Sequence, residues 1–143
     1  MPAYRAAPAG KTGLPVVLVL SETFGVHEYI ADTAHRFAKA GHLAIAPELF
    51  VRQGDVQSYG EMAKLIAEAM SKVPDAQIMA DLDAGMKWAA ANGGDAAAKA
   101  SKFVVYPDVP RAFHADYRAS CRKEAADEGW KRALEWIKAQ GVA

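Results

Sequence analysis

The chain has 143 residues, enough for a single domain spanning 1–143 that buries roughly two thirds of its unfolded surface. Its 17 acidic and 17 basic residues cancel, which leaves no global field to gather nucleic acid or anionic lipid, and 52% hydrophobic with 24% charged residues fits a globular protein. The aliphatic run 16–20 is far too short to cross a bilayer, the opening MPAYRAAPAGKTG has no apolar signal core, and the lone Cys121 excludes an internal disulfide or a thiolate zinc cluster, so the expectation is a cytoplasmic protein without a cofactor.

Residues 4–8 are a candidate edge strand, turned by Gly10 and Gly13. Residues 15–20, PVVLVL, form a continuous apolar, β-branched-rich run, the pattern of a central parallel strand covered on both faces. After the turn SETFG, Ile30, Ala34, Phe37 and Ala38 recur at helical spacing, while Glu28, Asp32 and Arg36 make an i, i+4 charge ladder on another face. Gly41 ends that helix in the left-handed region. Residues 43–47 predict a second buried strand, followed by a loop through Arg52 and Gly54.

Ser58 and Glu61 have capping-box spacing, ahead of a helix with Tyr59, Met62, Ile66, Ala69 and Met70 on one face. Pro74 and Asp75 break it and start the next, whose apolar positions Met79, Leu82, Met86 and Ala89 run to the stop Asn92-Gly93-Gly94. Residues 95–100 are an alanine-rich connector, 103–106 a third strand and 107–117 a proline-marked loop. A last helix carries Ala126, Trp130, Ala133, Leu134 and Ile137 on one stripe and ends at Gly141. The order strand, helix, strand, two helices, strand, helix predicts an α/β fold of three layers, α/β/α, over a small sheet of three parallel strands, with residues 4–8 as an extra edge.

Three passages together resemble the dienelactone hydrolase (carboxymethylenebutenolidase) family of the α/β-hydrolases. LPVVLVLSETFGVHEYIADTAHRFAKAGHLAIAPELFVRQGD is similar to that family's front, and VPDAQIMADLDAGMKWAAANGGD to the helix before its nucleophile strand. KFVVYPDVPRAFHADY, with the helix after it, is similar to the final strand, histidine loop and last helix. Nearly the whole chain is covered, in the family's order. The resemblance also implies what is missing. Between Asp95 and Ser101 the family continues into a strand and a G-x-C-x-G-G turn carrying the cysteine nucleophile, then further strands and the catalytic aspartate. No two glycines here are four apart, so no such elbow exists. Where the family's catalytic histidine opens P-H-A-F-H, this chain reads Pro110-Arg111-Ala112-Phe113-His114. Nucleophile, acid and base, which act as one unit, are all absent from their family places.

Removing the intervening strands brings residues 103–106 beside 15–20, with 43–47 on the other side, a truncated α/β-hydrolase resembling the flavodoxin-like order. The edge at 103–106 then lies open, which predicts a homodimer through sheet extension or an exchanged element. Glu22 and the Thr23 backbone N–H resemble the family's turn facing the nucleophile, but residues 21–25 read first as a plain strand-to-helix turn with a retained acidic residue. Arg111, Arg52 and His114 are candidates for a ligand carboxylate, Arg by its planar fork. Cys121 with His114 is a thiol and base in name only, since Cys121 lies off the Trp130 stripe and is expected to face solvent. His27, His35 and His42 lack metal spacing.

The leading expectation is a folded family member without hydrolase activity, serving as a binding or assembly module or standing as a remnant or minimised domain. One alternative is a residual ester or lactone hydrolase with a site rebuilt across a dimer. Another is a flavodoxin-like phosphate-binding module, since SETFG opens a helix, although Glu22 would repel the anion.

Overall fold

A computed structural model describes residues 1–21, 23–95 and 113–139. They fall in two compact units, Met1–Ala96 and Ala97–Ala143. The first contains β1 (Ala3–Ala6), β2 (Leu14–Leu18), α1 (Glu28–Lys39), β3 (Leu43–Pro47), α2 (Met62–Glu68), α3 (Asp75–Ala91) and the two-residue β4 (Gly94–Asp95). Short 3-10 turns at Val51–Gln53, Val56–Ser58 and Met70–Lys72 lie between them. The second unit contains α4 (Lys123–Ala139).

The sheet is open and mixed, in the order β1-β3-β2-β4. β3 pairs parallel with β2, Val17 opposite Ala44, and antiparallel with β1, Tyr4 opposite Ala46. The candidate edge strand is therefore real, running Ala3–Ala6, one residue shorter than the 4–8 read, and antiparallel to its neighbour. All five residues of β3 are buried, as a strand covered on both faces requires. Alternation along it divides the core. Ala44 and Ala46 face α1, packed with Ile30, Ala34, Val17 and Val19. Leu43 and Ile45 face the other way, packed with Leu14, Leu18 and Ala89 of α3. Helices thus cover both faces, which makes the expected three layers.

Residues 103–106, the expected third parallel strand, and the connector 96–100 lie outside the described residues. On the free side of β2 the described strand is β4, with Leu14 opposite Gly94 and Pro15 opposite Asp95. The Asn-Gly-Gly stretch was read only as a helix stop, and its second glycine does more. A Cβ on Gly94 would sit 2.6 Å from Val16 Cγ2 and 3.0 Å from the Ala89 carbonyl oxygen, so only glycine lets the chain pass from α3 into the sheet.

Helix α1 follows the sequence closely: Ile30 and Ala34 are buried, Arg36 pairs with Asp32 at 2.7 Å, and Gly41 has φ 96°. Two expectations change further on. The Ser58 hydroxyl donates to the Asp55 carbonyl, and Asp55 caps the Val56–Ser58 turn, so Ser58 is spent there and α2 starts from Glu61 without a side-chain cap. The buried stripe of α2 runs through Leu65 and Ala69, and Met62 and Ile66 are exposed. In α3 the buried positions are Asp81, Gly85 and Ala89, with Met79 exposed. Of the positions read from the sequence, Ala69, Met70, Leu82 and Ala89 pack against the core, and Met62, Ile66 and Met79 do not.

This change of phase sets different costs for similar residues. Leu65→Ala is expected to lower stability by about 2–5 kcal/mol, since it opens a cavity around a fully buried side chain. Ile66→Ala and Met79→Ala, on exposed faces, are expected to stay within about 0.5 kcal/mol of the parent. Urea unfolding with unchanged slope distinguishes them, and equal losses at Leu65 and Ile66 contradict the packing described.

Candidate functional site

In an open α/β sheet the chemistry collects where parallel strands end, because there side chains and loop amides leave the packed layers and converge. In the first unit these are the turn at 21–27 after β2, Glu48 immediately after β3, and Arg52 in the first 3-10 turn. Asp81 of α3 joins them through Arg52.

The turn is held from the β3 side. Both carboxylate oxygens of Glu48 accept the Val26 N–H, at 3.3 and 3.2 Å. Gly25 lies directly under that carboxylate with φ 68°, and a Cβ there would come within 2.8 Å of Glu48 Oε2. Glycine is needed twice over, for the backbone angle and for the approach. Thr23 is buried, and the Ser21 hydroxyl is buried without a hydrogen bond to a described residue. Glu22 lies outside the described residues, so the structure does not place its carboxylate.

Arg52 is not a free fork. Nη1 donates to Asp81 Oδ2 at 2.6 Å and Nη2 to Oδ1 at 2.9 Å, a bidentate pair between the loop after β3 and α3. Asp81 is 5% exposed, whereas nearly half of the Arg52 side chain reaches solvent. The two hydrogen bonds from Arg52 hold the Asp81 carboxyl below the usual carboxylate range, against the opposing effect of burial. Asp81 in turn raises the Arg52 guanidinium.

In the second unit His114 is half-buried, its ring 6.1 Å from that of Trp130 and tilted by 34°. Cys121 is half-buried just before α4, where it was expected to face solvent. Its N–H donates to the Arg118 carbonyl at 3.0 Å, and its thiol makes no hydrogen bond to a described residue. Arg111 lies outside the described residues. Of the first-unit histidines, His35 bonds the Tyr4 hydroxyl at 2.9 Å, buried His42 is 3.2 Å from the Phe37 carbonyl through Nδ1, and His27 precedes α1. Among the described residues no group of His, Cys, Asp or Glu is placed to hold a metal, and no helix is long and apolar enough to cross a membrane.

Sequence reasoning missed Glu48 and Asp81. For Glu48 the signal was present: a carboxylate one residue beyond a fully apolar parallel strand stands where such sheets place their working groups. For Asp81 the cue was the spacing to Gly85 and Ala89, small residues that mark the close-packed face of α3.

Comparison with known proteins agrees with the sheet. The model of the dienelactone hydrolase family matches residues 1–99. A protein of Methylorubrum extorquens named for carboxymethylenebutenolidase activity is 34% identical over 227 residues, covering 100% of this chain and 78% of the relative. One from Escherichia coli K12, named the same way, is 32% identical over 225 residues, covering 99% and 83%. The crystal structure of a Klebsiella pneumoniae protein named as a dienelactone hydrolase is 33% identical with a TM-score of 0.88, covering 96% of this chain and 92% of that one. An alignment over 227 residues exceeds the 143 of this chain, so the relative contains an internal stretch without counterpart here. The family match stops at residue 99, inside the junction that the sequence places between Asp95 and Ser101.

The Arg52–Asp81 pair has a pH signature. A carboxyl held below its unfolded value of about 3.9 contributes stability that is complete above that pH and is lost as pH falls through the folded value. Asp81→Asn is expected to cost about 1–3 kcal/mol at pH 7 by breaking charge-assisted hydrogen bonds to a buried carboxylate. The gap between parent and variant should narrow below about pH 4, where the parent loses the same charge. Urea midpoints at pH 7 and pH 3 measure this, and a constant gap excludes it.

Proposed function

The chain belongs to the dienelactone hydrolase family, and from that premise we propose that it is a folded module of the family that does not hydrolyse esters or lactones. The observation that carries this reading is the absence of any glycine pair four apart, which rules out the nucleophile elbow on which the family's chemistry turns. The internal stretch that relatives contain and this chain lacks supports it. Without a nucleophile, the remaining turn amides have no tetrahedral intermediate to stabilise. Glu22, Thr23, His114 and Cys121 are the groups a residual activity would have to use, and Arg52 could meet a substrate carboxylate only by sharing or leaving Asp81.

Turnover of p-nitrophenyl acetate and of a simple unsaturated lactone is expected to equal the buffer rate, unchanged in His114→Ala and Cys121→Ala. Hydrolysis above buffer that disappears in either variant refutes the silent reading and favours the residual hydrolase.

Self-association is the second part of the proposal. β1 ends the sheet with one side unpaired among the described residues, and an open edge is a template for another copy. Sedimentation at rising concentration is expected to show a dimer, and a monomer throughout removes this part while leaving the first intact.

A further inference from the structure

Away from the strand ends, the first unit has a cavity of about 400 Å³ where α3 passes beneath the β1 end of the sheet. Its volume falls within the range of small-molecule sites. Small side chains make the room: Ala3 on β1, with Ala84 and Gly85 on α3. Ile45, 2% exposed, gives an apolar floor, and Trp88, 41% exposed, gives an aromatic wall.

Two positive groups belong to the lining residues, the N-terminal ammonium of Met1, which acts on nearby Asp81, and the guanidinium of Arg5. The Arg5 guanidinium stands 5.6 Å from the centre of the Trp88 ring. A guanidinium over an aromatic face keeps its in-plane N–H groups available, and those fit a carboxylate bidentately. Among the described residues no carboxylate pairs with Arg5, and none of those lining the cavity is acidic. Asp81, one turn before Gly85 on α3, is already neutralised by Arg52. An exposed Arg–carboxylate pair is worth little alone, so a ligand must bring apolar surface as well.

We propose that the cavity bounded by β1, β3 and α3 binds a small carboxylate with an aromatic or branched apolar body, the body against Trp88 and Ile45 and the carboxylate on Arg5. The site is independent of the strand-end turn and of whether the chain hydrolyses anything. Arg5 also borders a second, more polar cavity of about 420 Å³ with Lys11, His35 and Asn92, so the test must report position as well as affinity.

The test is a titration of the full chain, ¹⁵N-labelled, with sodium 3-phenylpropionate, followed by NMR. A saturable shift is expected at the Trp88 indole N–H and the Ala84 amide, with millimolar affinity typical of a ligand of this size. Arg5→Gln is expected to weaken binding about tenfold, the loss of one charge-assisted contact. The neutral 3-phenylpropanamide should bind parent and Arg5→Gln alike, and acetate should not compete. Ala84→Phe, at an exposed helix position, should fill the cavity and remove the shift at an unchanged melting temperature. Saturation at His35 and Asn92 in place of Trp88, equal affinity in Arg5→Gln, or binding that survives Ala84→Phe overturns the proposal, as does no saturable shift.

Discussion

The first unit depends on the burial of β3 from both faces. A strand with no residue at the surface has no water for its amides, so both edges must be paired, and β1 and β2 supply the partners. Its side chains then set the thickness of each layer. On the α1 face alanine meets alanine, Ala44 and Ala46 against Ala34, all with no exposed surface, which brings the helix close to the sheet. On the other face the order is reversed. Large Leu43 and Ile45 rise from the sheet, and α3 meets them with Gly85 and Ala89. Large against small on one side and small against small on the other is how a short strand fills two unequal gaps at native density.

From this frame the strand-end groups follow. Glu48 leaves the sheet one residue after β3 and can reach back only to the neighbouring turn, where the Val26 N–H waits. Arg52, four residues on, clears the strand and meets α3. The two contacts brace the same loop in opposite directions, one toward α1 and one toward α3. Each supplies a charged partner to a group that would otherwise be desolvated without compensation.

How much of this was readable in the residues depended on which force decided each element. Of the expected parallel strands, β2 and β3 were readable as apolar runs, with β2 ending at Leu18 short of the exposed Leu20, and α1 as a clean helical stripe. The family was readable because whole phrases of sequence survive. Helices α2 and α3 were assigned correctly and their stripes were right in part: Tyr59, Ala69, Met70, Leu82 and Ala89 pack as read, but Met62, Ile66 and Met79 are exposed, and Leu65 and Gly85 fill the space instead. Pairing geometry was the other blind spot. Nothing in Asn92-Gly93-Gly94 distinguishes a helix stop from a helix stop that also slides against β2, because the distinction lies in the 2.6 Å that a side chain on Gly94 would violate. The Arg52–Asp81 pair is non-local by 29 residues and joins two groups that each look like ordinary surface charge.

The turn after β2 lies in the stretch whose wording most resembles the family, and the structure gives it work that needs no chemistry. Thr23 is buried, Gly25 has a backbone angle and a contact with Glu48 that strain any side chain, and Val26 feeds its N–H to Glu48. Replacing Gly25 forces the carboxylate away and leaves an amide unpaired at the entrance to α1. A stretch held this tightly resists change by its packing whether or not a nucleophile stands opposite. Its persistence is therefore accounted for by stability, and activity has to be judged from the groups that would perform it.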